Sequence, residues 1–334
     1  MVLCYNMGMK KYESLNVISN VKSVCLISHI EPDPDALASL VVFREFIKNH
    51  FKVKTVDIFA QTHGLSDTVS KILDKVSLNN KPKKYNMAIM IDCPNSDRLG
   101  EYKYLFENAN CKIVIDHHAT NDYSGDINIV EICSSTCEII SEILNEFKYK
   151  LSPSQQGKLY SGIITDTNNF SVGYISARTF KIVSELAPNI NINTIYRTFL
   201  ANKTLKNLQL QAFAINNIVT FEHNQIVITH LTHEDAKRLK ATHNDFHGIV
   251  NHIATVNTAK LICFIEPRDD VYYVSMRAKN GYDVSKIAKE NGGGGHVGAA
   301  AFETNLDLKT IEQNVLTSFR KELENRKIKK EKLF

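Results

Sequence analysis

The sequence predicts an α/β protein in two parts, an N-terminal parallel-sheet domain followed by a smaller C-terminal α/β domain. Three observations carry that expectation. Through the first half, short apolar runs rich in β-branched residues alternate with segments of helical period, the pattern of a parallel sheet with helices on both faces. After about residue 185 the pattern loosens into polar helical segments, and a second set of strand-like runs then begins. A chain of 334 residues also exceeds what one hydrophobic core usually organises, so two cores are expected.

The first strand is expected over 24–28 (Val-Cys-Leu-Ile-Ser), with a helix over 36–49 after it. Further strands fit 55–60, 87–91 (Met-Ala-Ile-Met-Ile) and 112–115 (Lys-Ile-Val-Ile), and a second helix fits 135–147. Ser152 followed by Pro153 is a good helix start: the hydroxyl can cap the first turn, and proline lacks only an N–H that would be orphaned there. That helix runs toward Gly162 and delivers Ile163-Ile164-Thr165-Asp166 at its end. Polar helical segments from 193 to 217 carry the chain onward, so residues 1–185 are read as the first domain, 186–217 as a helical linker and 218–334 as the second domain. In the second, strands are expected at 225–230, 260–265 and 271–277, a helix at 245–256 and a lysine-rich helix at the end. The charge run from Arg326 to Lys332 reads as a solvated helix end.

Composition sets bounds without deciding function. A hydrophobic share of 43% and a charged share of 23% are those of an ordinary globular protein. The formal net charge of +4 is too small for a nucleic-acid coat but compatible with an anionic substrate held by a few local cations. The seven cysteines, at 4, 25, 93, 111, 133, 137 and 263, make no disulfide framework, and Cys133 and Cys137, with no second Cys or His pair at finger-like spacing, read as free thiols in a reducing compartment. No stretch approaches the roughly 18 apolar residues that a membrane-spanning helix needs, and no leader-like segment opens the chain. The expected location is the cytoplasm, with no membrane partner.

Ligand-type residues recur where a strand pattern stops. Pro32 and Pro34 forbid regular strand and helix, so His29, Asp33 and Asp35 are expected on a stiff loop after the first strand. Asp92 ends the 87–91 run, Asp116-His117-His118 ends 112–115, and Asp166 follows Ile163-Ile164-Thr165. All would lie on one edge, and open α/β sheets bind ligands in the crevice outside the carboxyl ends of their strands. A single aspartate in such a place is usually a cap or turn residue, and a single histidine is usually structural. A solvated acidic loop accounts for Asp33 and Asp35, but not for further carboxylates and paired histidines at the same edge.

Six potential ligands, His29, Asp33, Asp35, Asp92, His117 and Asp166, offer oxygens and two imidazoles but no thiolate. That mixture suits manganese or magnesium better than structural zinc. Four carboxylates in one crevice repel unless cations neutralise them, and two divalent ions are the simplest solution. In two-metal sites the ions lie about 3.5 to 4 Å apart, one activating water and both stabilising phosphoryl oxygens. Asp92 is the central carboxylate expected to bridge them. His118 is placed to donate to phosphate or assist the leaving group, and Asp116 to orient an imidazole from behind.

These residues resemble the motifs of the DHH phosphoesterase family, named for the triplet that stands here as Asp116-His117-His118. The match includes His29-x3-Asp33-x-Asp35-Ala36, then Ile91-Asp92 with Arg98-Leu99-Gly100, the triplet, and Thr165-Asp166-Thr167 with Phe170. Downstream, Ser275-Met276-Arg277 and the run Gly292-Gly293-Gly294-Gly295-His296-Val297-Gly298-Ala299-Ala300 resemble the DHHA1 domain of one family branch. Where the family's run closes with glycine, Ala301 stands here. Consecutive glycines let backbone N–H groups approach an anion closely, and Arg277 and His296 offer donors to the same group. Ser275, Gly293, Gly294 and Gly295 join them as expected substrate contacts, and Arg98 either pairs with an acid or faces a phosphate.

Within the family the chain resembles the nanoRNase group, which implies a manganese-dependent phosphoesterase, with Mg²⁺ the other option for the metal. The substrates so implied are short single-stranded RNA or DNA oligonucleotides, pApA-type dinucleotides or 3'-phosphoadenosine 5'-phosphate, gripped by the second domain across an interdomain cleft. The ranking of those substrates, the direction of attack and the oligomeric state, a homodimer included, stay open. Two other readings are an inorganic pyrophosphatase, against which the His296 run speaks, and a nucleotide- or RNA-binding module without chemistry, against which the complete ligand set speaks. His243, His247 and His252 share a helical spacing, but the glutamate of a zincin motif is missing, so they read as structural.

Overall fold

In the computed structural model, residues 11–246 and 248–331 are described, and the chain divides between Asn202 and Lys203 into two compact units. The first unit runs in the order β1 (Ser23–Ile27), α1 (Pro34–His50), β2 (Thr55–Phe59), α2 (Asp67–Leu73), β3 (Met87–Ile91), α3 (Lys103–Glu107), β4 (Cys111–Asp116), β5 (Ile127–Val130), α4 (Thr136–Glu146), α5 (Pro153–Asp166), α6 (Ala177–Leu186) and α7 (Ile192–Phe199). Its five strands are all parallel, ordered β2-β1-β3-β4-β5. Side chains alternate across the sheet. Val24, Leu26, Ile89, Ile91, Ile113 and Ile115 enter one core with residues of α1, α4 and α5, while Cys25, Ile27, Ala88, Met90 and Val114 enter another with Leu105 and Phe106 of α3. Both faces are therefore dry, and each fully buried Leu, Ile or Phe contributes about 1.5–3 kcal/mol. The strand order reverses between β1 and β3, which opens a crevice at their carboxyl ends.

Two details differ from the sequence reading, the place of Asp35 and the strand β5. Asp35 lies in the first turn of α1 instead of on a loop, because Pro34 is tolerated in the first turn and Asp33 caps the helix by accepting from the Ala36 N–H at 3.0 Å. Asp166 closes the helix α5, where the sequence reading puts it, and the start of that helix is fixed by the Ser152–Gln155 capping box. The strand β5 was not foreseen, since only Ile129 of its four residues is buried and no apolar run announces it.

The second unit follows the order α8 (Leu205–Asn216), β6 (Val219–Phe221), β7 (Ile226–His230), α9 (His233–Arg238), α10 (Ile249–Ile253), β8 (Leu261–Arg268), β9 (Val271–Ala278), α11 (Ser285–Glu290), β10 (Gly294–His296), β11 (Ala299–Thr304) and α12 (Leu308–Glu331). The sheet order is β10-β11-β9-β8-β7-β6, with only β7 and β8 parallel. One face carries Val274, Met276 and Ala300 against Ile287 of α11 and Ile311, Val315 and Phe319 of α12. The other carries Val227, Ile262 and Phe264 against Leu210 of α8 and Ile249 and Ile253 of α10.

The helix expected over 245–256 is broken: a 3-10 turn spans His243–Phe246, Gly248 takes φ 81, and α10 is short. His247 lies outside the described residues. The stretch from 193 to 217 is likewise two helices, α7 and α8. Three strands, β6, β10 and β11, were not foreseen, and the end of the glycine run, Gly294 and Gly295, is a strand edge instead of a loop, because pairing with β11 supplies what glycine's propensity does not. Arg326 stacks over the Tyr282 ring at 5.0 Å and donates to the Gly281 carbonyl, so the expected solvated run is anchored at its first residue, while Lys332 lies outside the described residues. Among the described residues no helix is long and apolar enough to cross a membrane.

Candidate metal centre

At the carboxyl edge of β1, β3 and β4 the chain brings His29, Asp33, Asp35, Asp92, His117 and Asp166 into overlapping groups. Donor atoms lie within 4.8 Å of one another in each of His29–Asp33–Asp92, Asp92–His117–His118 and Asp35–His117–Asp166. Asp92 joins the first two: its Oδ2 is 3.8 Å from Nε2 of His29 and its Oδ1 3.6 Å from Nε2 of His117. His117 joins the last two, with Nε2 3.5 Å from Oδ2 of Asp166. Asp92 is buried and sits at φ 54, in the left-handed region where aspartate is several-fold enriched over other residues. Such backbone clusters at functional sites, where the surrounding structure over-determines it.

The imidazoles are aimed from behind. Nδ1 of His29 lies 2.9 Å from the Ile30 carbonyl, and Nδ1 of His117 lies 3.3 Å from the Cys133 carbonyl. A carbonyl only accepts, so each ring carries its proton on Nδ1 and turns the Nε2 lone pair toward the carboxylates. Asp35 is held differently. It is buried at the N-terminus of α4, where the Thr136 N–H donates to Oδ2 at 2.7 Å and the Cys137 N–H to Oδ1 at 2.9 Å.

Electrostatics show how strongly the carboxylates crowd one another. Burial, then the charges of Asp92 and Asp166, push the Asp35 carboxyl well above the usual carboxylate range. Burial and then Asp33 raise Asp92, and burial with the charges of Asp92 and Asp33 pushes Asp166 up to about 8. Asp166 also stands at the negative end of α5, which disfavours its charge further. Burial likewise raises the neighbouring thiols of Cys133 and Cys137, which keeps them protonated and out of the donor set. Carboxylate oxygens and pre-aimed Nε2 atoms, crowded until their charges repel, fit divalent cations.

Beside this cluster, Nδ1 of His118 is 2.7 Å from Oδ1 of Asp116, whose Oδ2 accepts from Asn121 Nδ2 at 2.7 Å. Burial alone would lower the His118 imidazole, but the bond to Asp116 and the charge of Asp92 push it up to about 9. Asp116 is held below its ordinary value, because the bond from His118 and the further one from Asn121 outweigh its burial. Arg98 stands exposed in the 3-10 turn Ser96–Tyr102 after β3, and its carbonyl accepts from the Ile30 N–H at 2.9 Å, which ties that turn to the loop after β1.

In the second unit, Arg277 and Ser275 lie two apart on β9 and so share a face. Register places His296, Ala299 and Arg277 in one row across three strands, and Gly294, Ala301 and Ser275 in the next. Arg277 is half-buried, donates from Nε to Asn251 Oδ1 at 2.8 Å, and is lowered by burial. The glycines divide by role. A Cβ on Gly293 or Gly295 would strike β11, at Phe302 or Ala300, whereas one on Gly294 would meet nothing within 4 Å. The chain's own packing requires the first two, and Gly294 leaves space beside a row of small residues.

Thr136 and Asn121 escaped the sequence reading. The sequence marked a helix start near 135, but nothing in it said that this helix points at Asp35.

The fold and this donor set define a class, the hydrolases of phosphoric esters. Residues 23–164 match the DHH family, N-terminal domain, and residues 224–327 match the DHHA1 domain. The two matches together cover most of the chain, which carries a DHH family N-terminal domain followed by a DHHA1 domain. A probable bifunctional oligoribonuclease and PAP phosphatase NrnA from Streptococcus mutans is 29% identical over 84% of this chain and 90% of its own length. The bifunctional oligoribonuclease and PAP phosphatase NrnA of Mycoplasma genitalium is 28% identical over 86% of this chain and 90% of its own. Among solved structures, an exopolyphosphatase-related protein from Bacteroides fragilis superposes with a TM-score of 0.82 at 21% identity, covering 93% of this chain and 94% of that one.

Proposed function

We propose that this chain is a manganese-dependent phosphoesterase that hydrolyses short oligoribonucleotides, pApA-type dinucleotides and 3'-phosphoadenosine 5'-phosphate. The position of Asp92 carries this reading: one buried carboxylate faces a His29–Asp33 group through one oxygen and His117 through the other. His29, Asp33 and Asp92 would hold one divalent cation, and Asp35, Asp92, His117 and Asp166 a second. When bound there, the cations would supply the Lewis acidity that lets water attack phosphorus near neutral pH.

The chain's own residues do the remaining work. His118, with its Nδ1 proton fixed on Asp116, is placed to give a proton to the leaving oxygen. Arg277 and Ser275, beside the open Gly294, would hold a phosphate of the substrate through charge-assisted bonds, with His296 in the same register. Similarity to the oligoribonuclease and PAP phosphatases of Streptococcus and Mycoplasma supports the substrate class, and the cysteines among the described residues, all free thiols, support a cytoplasmic location.

The test is incubation with Mn²⁺ and labelled RNAs of two to ten residues, 3'-phosphoadenosine 5'-phosphate and pyrophosphate, with products resolved. Release of mononucleotides or of phosphate from the bisphosphate is expected. Turnover of pyrophosphate alone would replace this reading by a pyrophosphatase, and binding without turnover by a nucleotide-binding module.

A further inference from the structure

We infer that Thr136 is a positioning residue of the metal centre, its hydroxyl setting the orientation of the shared Asp92 carboxylate while its backbone fixes Asp35. The inference rests on the metal-binding reading above and adds to it a residue outside the donor set.

Thr136 makes two bonds to two different acids. Its N–H donates to Asp35 Oδ2 at 2.7 Å, and its Oγ1 donates to Asp92 Oδ1 at 2.8 Å. Asp35 comes from α1 and Asp92 from the end of β3, so a single residue of α4 ties together ligands delivered by separate elements. The contacted oxygen of Asp92 is the one that faces His117. A carboxylate turns about its Cβ–Cγ bond unless something holds it, and that rotation would exchange the oxygens turned toward His29 and His117.

Helix formation does not explain the hydroxyl. Ser135 already caps α4, its side chain accepting from the Glu138 N–H at 3.2 Å, and Thr136 follows it as the first helical residue. At that place a threonine hydroxyl has no carbonyl a turn earlier in its own helix to bond. Thr136 is fully buried, where apolar valine would have the same shape. A hydroxyl kept there with an acid as its partner acts on that acid. Removal of such supporting hydrogen bonds behind metal ligands typically weakens metal binding about 10–100-fold.

The experiment titrates the metal-free full-length chain with Mn²⁺ by calorimetry, for wild type, Thr136→Val, Thr136→Ala and Thr136→Ser, with far-ultraviolet dichroism as the check on folding. Val and Ala remove the hydroxyl and leave both backbone N–H donors; Ala does so without the branched methyl, which covers a packing fault in the Val variant. A loss of about 10–100-fold in Mn²⁺ affinity is expected for both, with recovery in Ser. Wild-type affinity in folded Val and Ala variants would overturn the role of Thr136 alone, as would a Ser variant as weak as Val. A wild-type chain that binds no Mn²⁺ would overturn the metal reading together with this one.

Discussion

Gly162 on α5 stands so close to Asp35 on α1 that a Cβ added to it would lie 2.8 Å from Oδ1 of the carboxylate. The sulfur of Cys137 crowds the same point, and Asp35 cannot retreat because two N–H groups of α4 hold it. Alanine would gain about 1 kcal/mol of helix propensity over glycine, while overpacking a rigid site costs about 1–3 kcal/mol. Gly162→Ala is therefore expected to unfold at lower urea concentration and to bind Mn²⁺ more weakly. A variant that matches wild type in both would show that Asp35 is not confined as described.

Asp92→Asn separates charge from backbone strain. Asparagine tolerates the left-handed region as well as aspartate does, so the turn after β3 should persist. The shared negative charge is lost, and with it several kcal/mol of transition-state stabilisation, about a thousandfold or more in kcat. Steady-state assays on a dinucleotide, beside unchanged thermal unfolding of the metal-free protein, check this. Turnover within a few-fold of wild type would remove Asp92 from the centre.

The sheet of the first unit was legible because its central strands are buried on both faces and read as unbroken apolar runs. The edge strand β5 was not, since half-exposed residues leave no such run. Within the site, donors at strand ends could be read from chain order: Asp92 follows Ile91 and Asp116 ends β4. Asn121 and Thr136 could not, because neither a bond from a loop to a carboxylate 5 residues back nor one from a helix start to carboxylates 44 and 101 residues back has a periodic signature. The strand β10 illustrates the same limit. Gly294 and Gly295 suggest a loop on propensity, and only their partners on β11 make them a strand.

Arg277 should act on binding more than on chemistry. Its guanidinium is half-buried and held by the neutral partners Asn251 and the Met276 carbonyl, which leaves its charge to a ligand. Hydrogen bonds to charged groups are worth about 1.5–3 kcal/mol, so Arg277→Ala is expected to raise KM about 10–100-fold with kcat little changed. Initial-rate measurements on 3'-phosphoadenosine 5'-phosphate decide it. A fall in kcat with KM unaltered would place Arg277 at the reacting phosphate instead.

A last prediction concerns stability away from the metal centre. Asp57 on β2 accepts from Lys83 Nζ at 2.9 Å, Tyr85 Oη at 2.7 Å and Asn80 Nδ2 at 3.0 Å. Burial alone would raise this carboxyl, but the bonds from Lys83, Tyr85 and Asn80 hold it below the usual carboxylate range. A group whose pKa is lower folded than unfolded stabilises the protein above its unfolded value, about 3.9 for aspartate, and loses that contribution as pH falls through the folded value. Asp57→Asn keeps the shape and cannot carry the charge. At pH 7 it should cost about 1.5–3 kcal/mol, the worth of hydrogen bonds to a charged group, and the gap to wild type should narrow as pH drops below about 4. Urea unfolding of both proteins at pH 7 and near pH 3.5 measures the two gaps. Equal gaps would mean that the loss comes from altered hydrogen-bond geometry and not from the charge of Asp57.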